Sequence, residues 1–335
     1  MKKKLLAISI LVLSVMFFSC GEKNGNGNNA HNITQTKINY KNGDDYTLKY
    51  GLTEGLTYTY KISTTSENSQ SNGMETQKMK VSISYTIELN PTEVDTNGET
   101  DLRVKFLNIK MNADVGGPQI SYDSENPADS LKATSPETAE YAIFKDATFS
   151  ARINPQGEII EIYRLDNLIN KILGENASTA GEEIKTQIKA RMEMQVSSMV
   201  QQVFQFLPSK TVKINSDWSK ETAEKVDDEI TSKTVFTYKL LDVKNIDSKD
   251  VAFIDANLVS EMDKRKSMQD KGTKYDFKKP EIFGKGEVQF NLENGLVLNR
   301  SLETNIHTGM TITQGYNRVE ITNRAKNSGT VELIK

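Results

Sequence analysis

Gly181 to Pro208 reads GEEIKTQIKARMEMQVSSMVQQVFQFLP, and its apolar spacing decides how the rest of the chain is arranged. Ile184, Ile188, Met192, Val196, Met199, Val203 and Phe206 recur at steps of four and three. Such steps place them on one stripe of an α-helix, with Lys185, Gln187, Lys189, Arg191, Gln195, Ser198 and Gln202 mostly opposite. Pro208 is expected to end that helix, because proline lacks the helical N–H and biases its predecessor out of the α region. Asp166 reads as the N-cap of a shorter helix before it, stopped by Gly174.

Strand signals lie on both sides of this insert. Val81, Ile83, Tyr85, Ile87 and Leu89 alternate cleanly, as one face of a half-buried antiparallel strand does. Asn97-Gly98 marks a hairpin turn in which both central positions tolerate positive φ. The return strand carries Leu102, Val104 and Phe106 on one phase and Leu107, Ile109 and Met111 on the other, the mark of a bulge or of two covered faces. Thr148–Ile153 and Glu158–Tyr163 form a second hairpin about Asn154-Pro155-Gln156-Gly157. Beyond Pro208, Thr211–Ser219, Thr234–Val243, Val251–Val259 and Val288–Val297 continue the pattern. Leu296–Ile306, Gly309–Thr313 and Val319–Thr322 add further strands, and Lys326–Lys335 reads as a short tail.

The two sides resemble each other. Tyr85-Thr-Ile-Glu-Leu89 matches Phe236-Thr-Tyr-Lys-Leu240, and Phe149 to Ile159 matches Val288 to Val297 with Gly157 and Gly295 at the same turn position. Retained order of elements is what duplication with drift leaves behind. The expected fold is α+β, mostly antiparallel β: two related curved sheets, or one half-open barrel, with a central helical insert covering both halves. The divisions are a signal at 1–20, a tether at 21–45, a first β half at 46–164, the insert at 165–208 and a second β half at 209–335.

At the N-terminus, Lys2, Lys3 and Lys4 precede an apolar run, Leu5–Phe18, that is short for a membrane span. Phe17-Phe18-Ser19-Cys20 resembles the lipobox of bacterial lipoproteins, although two phenylalanines depart from its usual preceding pair. The resemblance implies cleavage before Cys20 and lipid attachment to it. An ordinary secretory signal or an uncleaved anchor is the alternative. Cys20 is the one cysteine in the chain, so it has no disulfide partner there. Gly21 to Asp45 is rich in Asn and Gly and reads as a tether reaching roughly 25–30 Å. Gly21 is not the aspartate that favours inner-membrane retention in enteric lipoproteins, which implies the outer membrane, periplasmic or surface leaflet open. Removing the three signal lysines takes the formal charge from −3 to −6. An acidic balance without a basic face argues against a nucleic-acid partner.

From Tyr46 to about Ile334 the chain resembles exported bacterial lipoproteins of an uncharacterised family with two related β-rich halves. The resemblance rests on Leu52-Thr-Glu-Gly-Leu-Thr-Tyr-Thr-Tyr60, Asn154-Pro-Gln-Gly-Glu158, and Phe206-Leu-Pro-Ser through Asp217-Trp218. It supplies no reaction. At the level of fold, a sheet with a helical lid is distantly similar to the lipoprotein-carrier superfamily, whose members hold acyl chains in a curved sheet.

Catalytic residue types are scarce. The histidines are His31, in the tether, and His307, after a strand-like run, so nucleophilic triads and His/Cys metal centres lack members. Asp123, Glu125, Asp227, Asp228 and Glu229 lie in polar segments that read as solvated surface. Asp95–Asp101 departs from calcium-loop spacing and is explained by hairpin chemistry. Trp218 with Tyr163 is a sugar-stacking alternative to a plain edge-of-core anchor.

No enzyme and no cofactor are expected. The favoured function is a membrane-tethered lipoprotein that binds a hydrophobic or lipid ligand under Met192, Val196, Met199, Val203 and Phe206. Plain core packing is the simpler account of the same residues. The alternative is a structural or interaction component of the envelope, meeting a protein through the 115–139 loop or a sheet edge. A carboxylate hydrolase ranks last.

Overall fold

The computed structural model describes residues 38–129, 135, 138–225, 231–262 and 267–334. The signal, Cys20 and Asp227–Glu229 therefore lie outside the described residues. Two short strands, β1 (Lys41–Asn42) and β2 (Asp45–Tyr46), pair with each other. The first half then supplies β3 (Tyr58–Ser71), β4 (Thr76–Val94), β5 (Thr100–Asp114), β6 (Ile120–Asp123), β7 (Thr148–Ile153) and β8 (Ile159–Tyr163). Helix α1 (Ala139–Ala142) precedes β7, and α2 (Asp166–Leu173) and α3 (Glu182–Gln201) follow β8. The second half comprises β9 (Asp217–Lys225), β10 (Thr231–Ile246), β11 (Lys249–Met262), β12 (Met268–Asp270), β13 (Thr273–Phe277), β14 (Glu281–Asn291), β15 (Leu296–Gln314) and β16 (Asn317–Leu333).

All the strands from β3 onward belong to one antiparallel sheet of fourteen, ordered β8-β7-β5-β4-β3-β16-β15-β14-β11-β10-β9. On this path β6 sits on β5, β13 on β15 and β12 on β13. The reading as two separate sheets is thus corrected. Each half lays down five strands in chain order: β3-β4-β5-β7-β8 and β9-β10-β11-β14-β15. In both halves the small extra strands are inserted after the third. β16 joins the halves, pairing with β15 on one side and with β3 on the other. The sheet does not close into a barrel through strand pairing. Its two ends are linked instead by side chains, Nζ of Lys220 on β9 lying 2.7 Å from Oε1 of Glu158, just before β8.

Local sequence explains much of this. The phase change in β5 is a bulge at Leu107: Asn108 pairs with Thr86 and Phe106 with Ile87, so Phe106, Ile109 and Met111 all turn inward. In the β4–β5 turn only Gly98 takes positive φ, not Asn97. The Asp95 carboxylate instead accepts the backbone N–H groups of Asn97 and Glu99. Lys326–Leu333 is no tail but part of β16. Its small polar residues hid a strand whose backbone is fully engaged on both sides.

The insert also differs from its periodicity. Helix α3 stops at Gln201 rather than at Pro208, and Val203, Phe204, Phe206 and Leu207 follow in a non-helical segment, all buried. The inward stripe is Met192, Val196 and Val200, while Ile184 and Met194 are exposed. Asp166 is the first residue of α2 rather than its N-cap; Leu165 holds that position with no side-chain capping bond, and Gly174 ends the helix at φ +53°.

The helices roof the first half alone. Leu168, Met192, Val196 and Val200 cover Tyr60, Ile62, Ile87, Leu89, Val104, Phe106 and Phe149. Over the second half, two irregular segments do the same work: Tyr46 and Leu48, with Phe206, Leu207 and Val212, lie on Phe236, Tyr238, Ile254, Val288 and Phe290. Burial of each such side chain contributes about 1.5–3 kcal/mol. The tether reading fails from Ile38 onward. Ile38 is buried and donates its N–H to Glu293 O (3.2 Å), and Tyr40 Oη donates to Asp250 (2.9 Å).

One half-buried ion pair gives a pH prediction. Arg152 Nε and Nη2 donate to the two carboxylate oxygens of Asp101 at 2.8 and 2.7 Å. Burial pushes the Asp101 carboxyl up, but the Arg152 bonds and charge outweigh it and hold it below the ordinary aspartate range. A depressed folded value makes the pair stabilising at and above the unfolded value of about 4, and that stability is lost as pH falls through the folded value. Arg152→Met is expected to lower stability at neutral pH by about 2 kcal/mol. Its deficit should shrink in denaturant titrations carried below that range; an undiminished deficit there would exclude the Asp101 carboxylate as its source.

Candidate functional site

The two core clusters meet at a seam beneath the end of α3, and the chemistry of that seam is polar. Arg300 on β15 pairs with Val331 on β16 and Val288 on β14, both buried on the inner face. Residues in one ladder point to the same side, so Arg300 points inward. Its Nη1 donates to Gln202 O at 2.8 Å, a carbonyl freed by the end of the helix. The helix C-terminus carries partial negative charge and favours a cation there. Arg300 makes no ion pair with a carboxylate among the described residues. Burial pushes its guanidinium pKa down, opposed by the nearby Tyr238 and Tyr50 hydroxyls.

Tyr50 lies across the seam, its ring edge-on to Phe204 (5.1 Å) and Phe290 (5.6 Å), one from each cluster. Its hydroxyl donates to Gln205 O (3.0 Å) and accepts from Gln205 N (2.5 Å). Burial raises the Tyr50 pKa well above its ordinary value. Gln205 itself is 1 % exposed, and neither its side-chain amide oxygen nor its nitrogen has a hydrogen-bond partner among the described residues. Burial raises the Tyr238 pKa above its ordinary value, opposed by the Arg300 charge and by the nearby Gln205 amide, which lies outside hydrogen-bond geometry. Gln201, one helical position from the C-cap, differs: its amide bonds Ile159 N, Gly157 O and Phe204 O and ties α3 to β8.

The residues expected to bind a ligand divide between the clusters. Met192, Val196 and Val203 are buried in the first cluster, Met199 packs against it half-buried, and Phe206 belongs to the second. Trp218 does not pair with Tyr163. It packs on Tyr238 at 5.6 Å and donates Nε1–H to Phe206 O (2.9 Å), while Tyr163 lies beside Asp101 and Arg164. Asp123 is bound to Lys110 at 2.9 Å, and Glu125 is exposed. Among the described residues no three His, Cys, Asp or Glu side chains cluster as a metal site, and no helix is long and apolar enough to cross a membrane. Arg300 and Gln205 escaped the sequence reading. The one available signal was the phase of β15, which sets Arg300 on the same side as Leu302, Thr304 and Ile306.

On the opposite face of the sheet a groove of about 460 Å³ crosses β4, β3, β16 and β15. Charged and polar side chains line it, among them Lys78, Lys80, Ser69, Arg324, Lys326 and His307.

These features define a mostly antiparallel β protein with one large open sheet and a small helical roof. Residues 97–297 match the family of unknown function DUF6263, and the chain belongs to that family. No curated protein matches the chain. Among solved structures it is similar to lipovitellin, from a study of lipid–protein interactions, at 12 % identity and a TM-score of 0.39. That match covers 84 % of this chain and 25 % of lipovitellin, so the chain spans about a quarter of that protein's length. It is also similar to the translocator domain of the autotransporter NalP from Neisseria meningitidis (9 % identity, TM-score 0.17, 82 % of this chain and 88 % of that one). OccK11 from Pseudomonas aeruginosa is similar at 6 % identity and a TM-score of 0.18, over 86 % of this chain and 100 % of that one. Likeness at these scores carries no argument about function.

Proposed function

We propose that the protein is an exported lipoprotein, held at the outer membrane through lipid on Cys20, that binds a hydrophobic or lipid ligand without catalysing a reaction. The observation that carries this reading is Gln205, a buried amide with both polar atoms unpartnered among the described residues, at the seam between two apolar clusters that Arg300 also enters. Buried polar atoms normally have a partner, and a ligand with a polar end and an apolar body supplies one at such a seam.

The test is to purify the full chain without added lipid, extract it with organic solvent and identify the extract by mass spectrometry, alongside a titration with the fluorescent acyl probe cis-parinaric acid. A co-purifying lipid, or saturable probe binding weakened by Gln205→Leu, is the expected result. Neither lipid nor probe binding would overturn it. Anchoring is tested separately: Cys20→Ser should move the protein out of the membrane fraction.

A second reading, an interaction component of the envelope, draws on one observation. Val259 (55 % exposed) and Phe283 (47 % exposed) face each other across β11 and β14 on the outer surface. Paired exposed apolar residues suit a protein contact. Site-specific crosslinking at position 283 in intact cells would return a discrete partner if it holds.

A further inference from the structure

The outer groove has a built arrangement that the inner seam does not explain. Ile306 is a core residue, and its ladder runs Met79–Asn68–Ala325–Ile306 along the inner face. The adjoining ladder, Lys78–Ser69–Arg324–His307, therefore points outward into the groove. Lys78 and Arg324 stand on the strands either side of β3, roughly 10 Å apart at the backbone, with the Ser69 hydroxyl between them.

Their charges are uncommitted. In the next ladder, Lys80 is bound to Glu67 (2.8 Å) and Lys326 to Glu303 (2.9 Å), so those lysines hold carboxylates of their own. The other acidic residue lining the groove, Asp114, accepts from Gly116 N. Glu281 stands at the far end, 3.7 Å from His307. Lys78 and Arg324 are exposed and pair with no described carboxylate, in a chain whose net charge is −3. A local excess of cations in an acidic protein marks a site for an anion, and the groove's volume falls within the range of small-molecule clefts.

We propose that this groove binds a phosphate-bearing ligand, its phosphate seated over Ser69 between Lys78 and Arg324. Arg324 offers the planar fork that matches phosphate oxygens, Lys78 a mobile point charge, and Ser69 a hydroxyl donor. The ligand is either a free phosphorylated molecule or the headgroup of an anionic phospholipid, and exposed Phe283, edge-on to His307 at 6.1 Å, offers an apolar contact to the latter. The site stands apart from the inner seam and does not depend on a ligand there.

The experiment is isothermal titration of the full chain carrying Cys20→Ala, in neutral detergent, with inorganic pyrophosphate, dihexanoyl phosphatidylglycerol and phosphate-free dihexanoylglycerol. Binding of pyrophosphate alone identifies a free ligand, and binding of phosphatidylglycerol over dihexanoylglycerol identifies a headgroup. Either must weaken on the order of tenfold or more in Lys78→Gln/Arg324→Gln, and likewise in Ser69→Asp, which sets a carboxylate within the ladder. The surface control Lys210→Gln/Lys249→Gln removes the same charge elsewhere and should bind as the parent does. No phosphate-dependent binding, or an equal loss in the control, overturns the proposal. Acyl-probe binding at the inner seam is measured on the same variants and should be unchanged, so the two sites fail or stand independently.

Discussion

Gly157→Ala and Gly295→Ala should each lower stability by about 2–5 kcal/mol, among the largest effects of any single methyl group in this protein. Both residues hold positive φ, +82° and +61°, which an L side chain adopts only at a cost. Both also face the same strap of chain. A β-carbon at Gly157 collides with the Tyr50 ring and comes within 2.7 Å of Gln205 O, and one at Gly295 collides with Gly51 N and Lys49 O. Gly73 provides the comparison, with φ +86° and open space around it. Gly73→Ala is expected to cost only the backbone part, about 1 kcal/mol. Urea midpoints for the three variants decide the matter: equal losses would show that Tyr50 and Lys49–Gly51 are not wedged against the two turns.

Tyr50→Ala is expected to cost about 3–5 kcal/mol, as large-to-small changes of buried aromatics do. More follows from its position than from its size. Tyr50 packs against both core clusters, and its hydroxyl both donates to and accepts from the Gln205 backbone. Removing it opens a cavity where one ring touches Phe204 and Phe290 together. Unfolding of Tyr50→Ala should therefore broaden or split into two transitions in calorimetry. Tyr50→Phe keeps the ring, loses the two backbone bonds and should remain a single transition about 1–2 kcal/mol less stable. A single sharp transition for Tyr50→Ala would mean that β16 and the remaining contacts across the seam couple the halves without it.

Much of the fold was legible because strands with one buried face announce themselves by alternation. Val81 to Leu89 did so, and the change of phase at Leu107 located a bulge that the register places there. The matching positions of Gly157 and Gly295 were legible for the same reason: a turn with positive φ leaves glycine behind. The end of α3 was not. Val203 and Phe206 keep helical spacing, but periodicity cannot separate a helix from an extended segment whose apolar residues plug two crevices. β16 was half missed because Arg324 to Thr330 lacks a hydrophobic phase, and its stability comes from backbone pairing on both sides. The candidate sites were invisible for a deeper reason. Ser69 and Lys78 face each other across the β3–β4 hairpin, but Arg324 arrives from β16, roughly 250 residues on, and only the register aligns it with them. Arg300 and Gln205 come to the same seam only because a segment the pattern assigned to a helix packs there in non-helical form, Arg300 bonding Gln202 O.

The position of β16 has a consequence for how the molecule comes to be made. It is translated after every strand it joins, yet it lies between β3 and β15 near the middle of the sheet. Until it arrives, β3 and β15 both present raw backbone edges, the condition that invites pairing with other chains. Vectorial synthesis therefore cannot complete this sheet from one end to the other. Its assembly must wait for a late closing step, once the whole chain has been made.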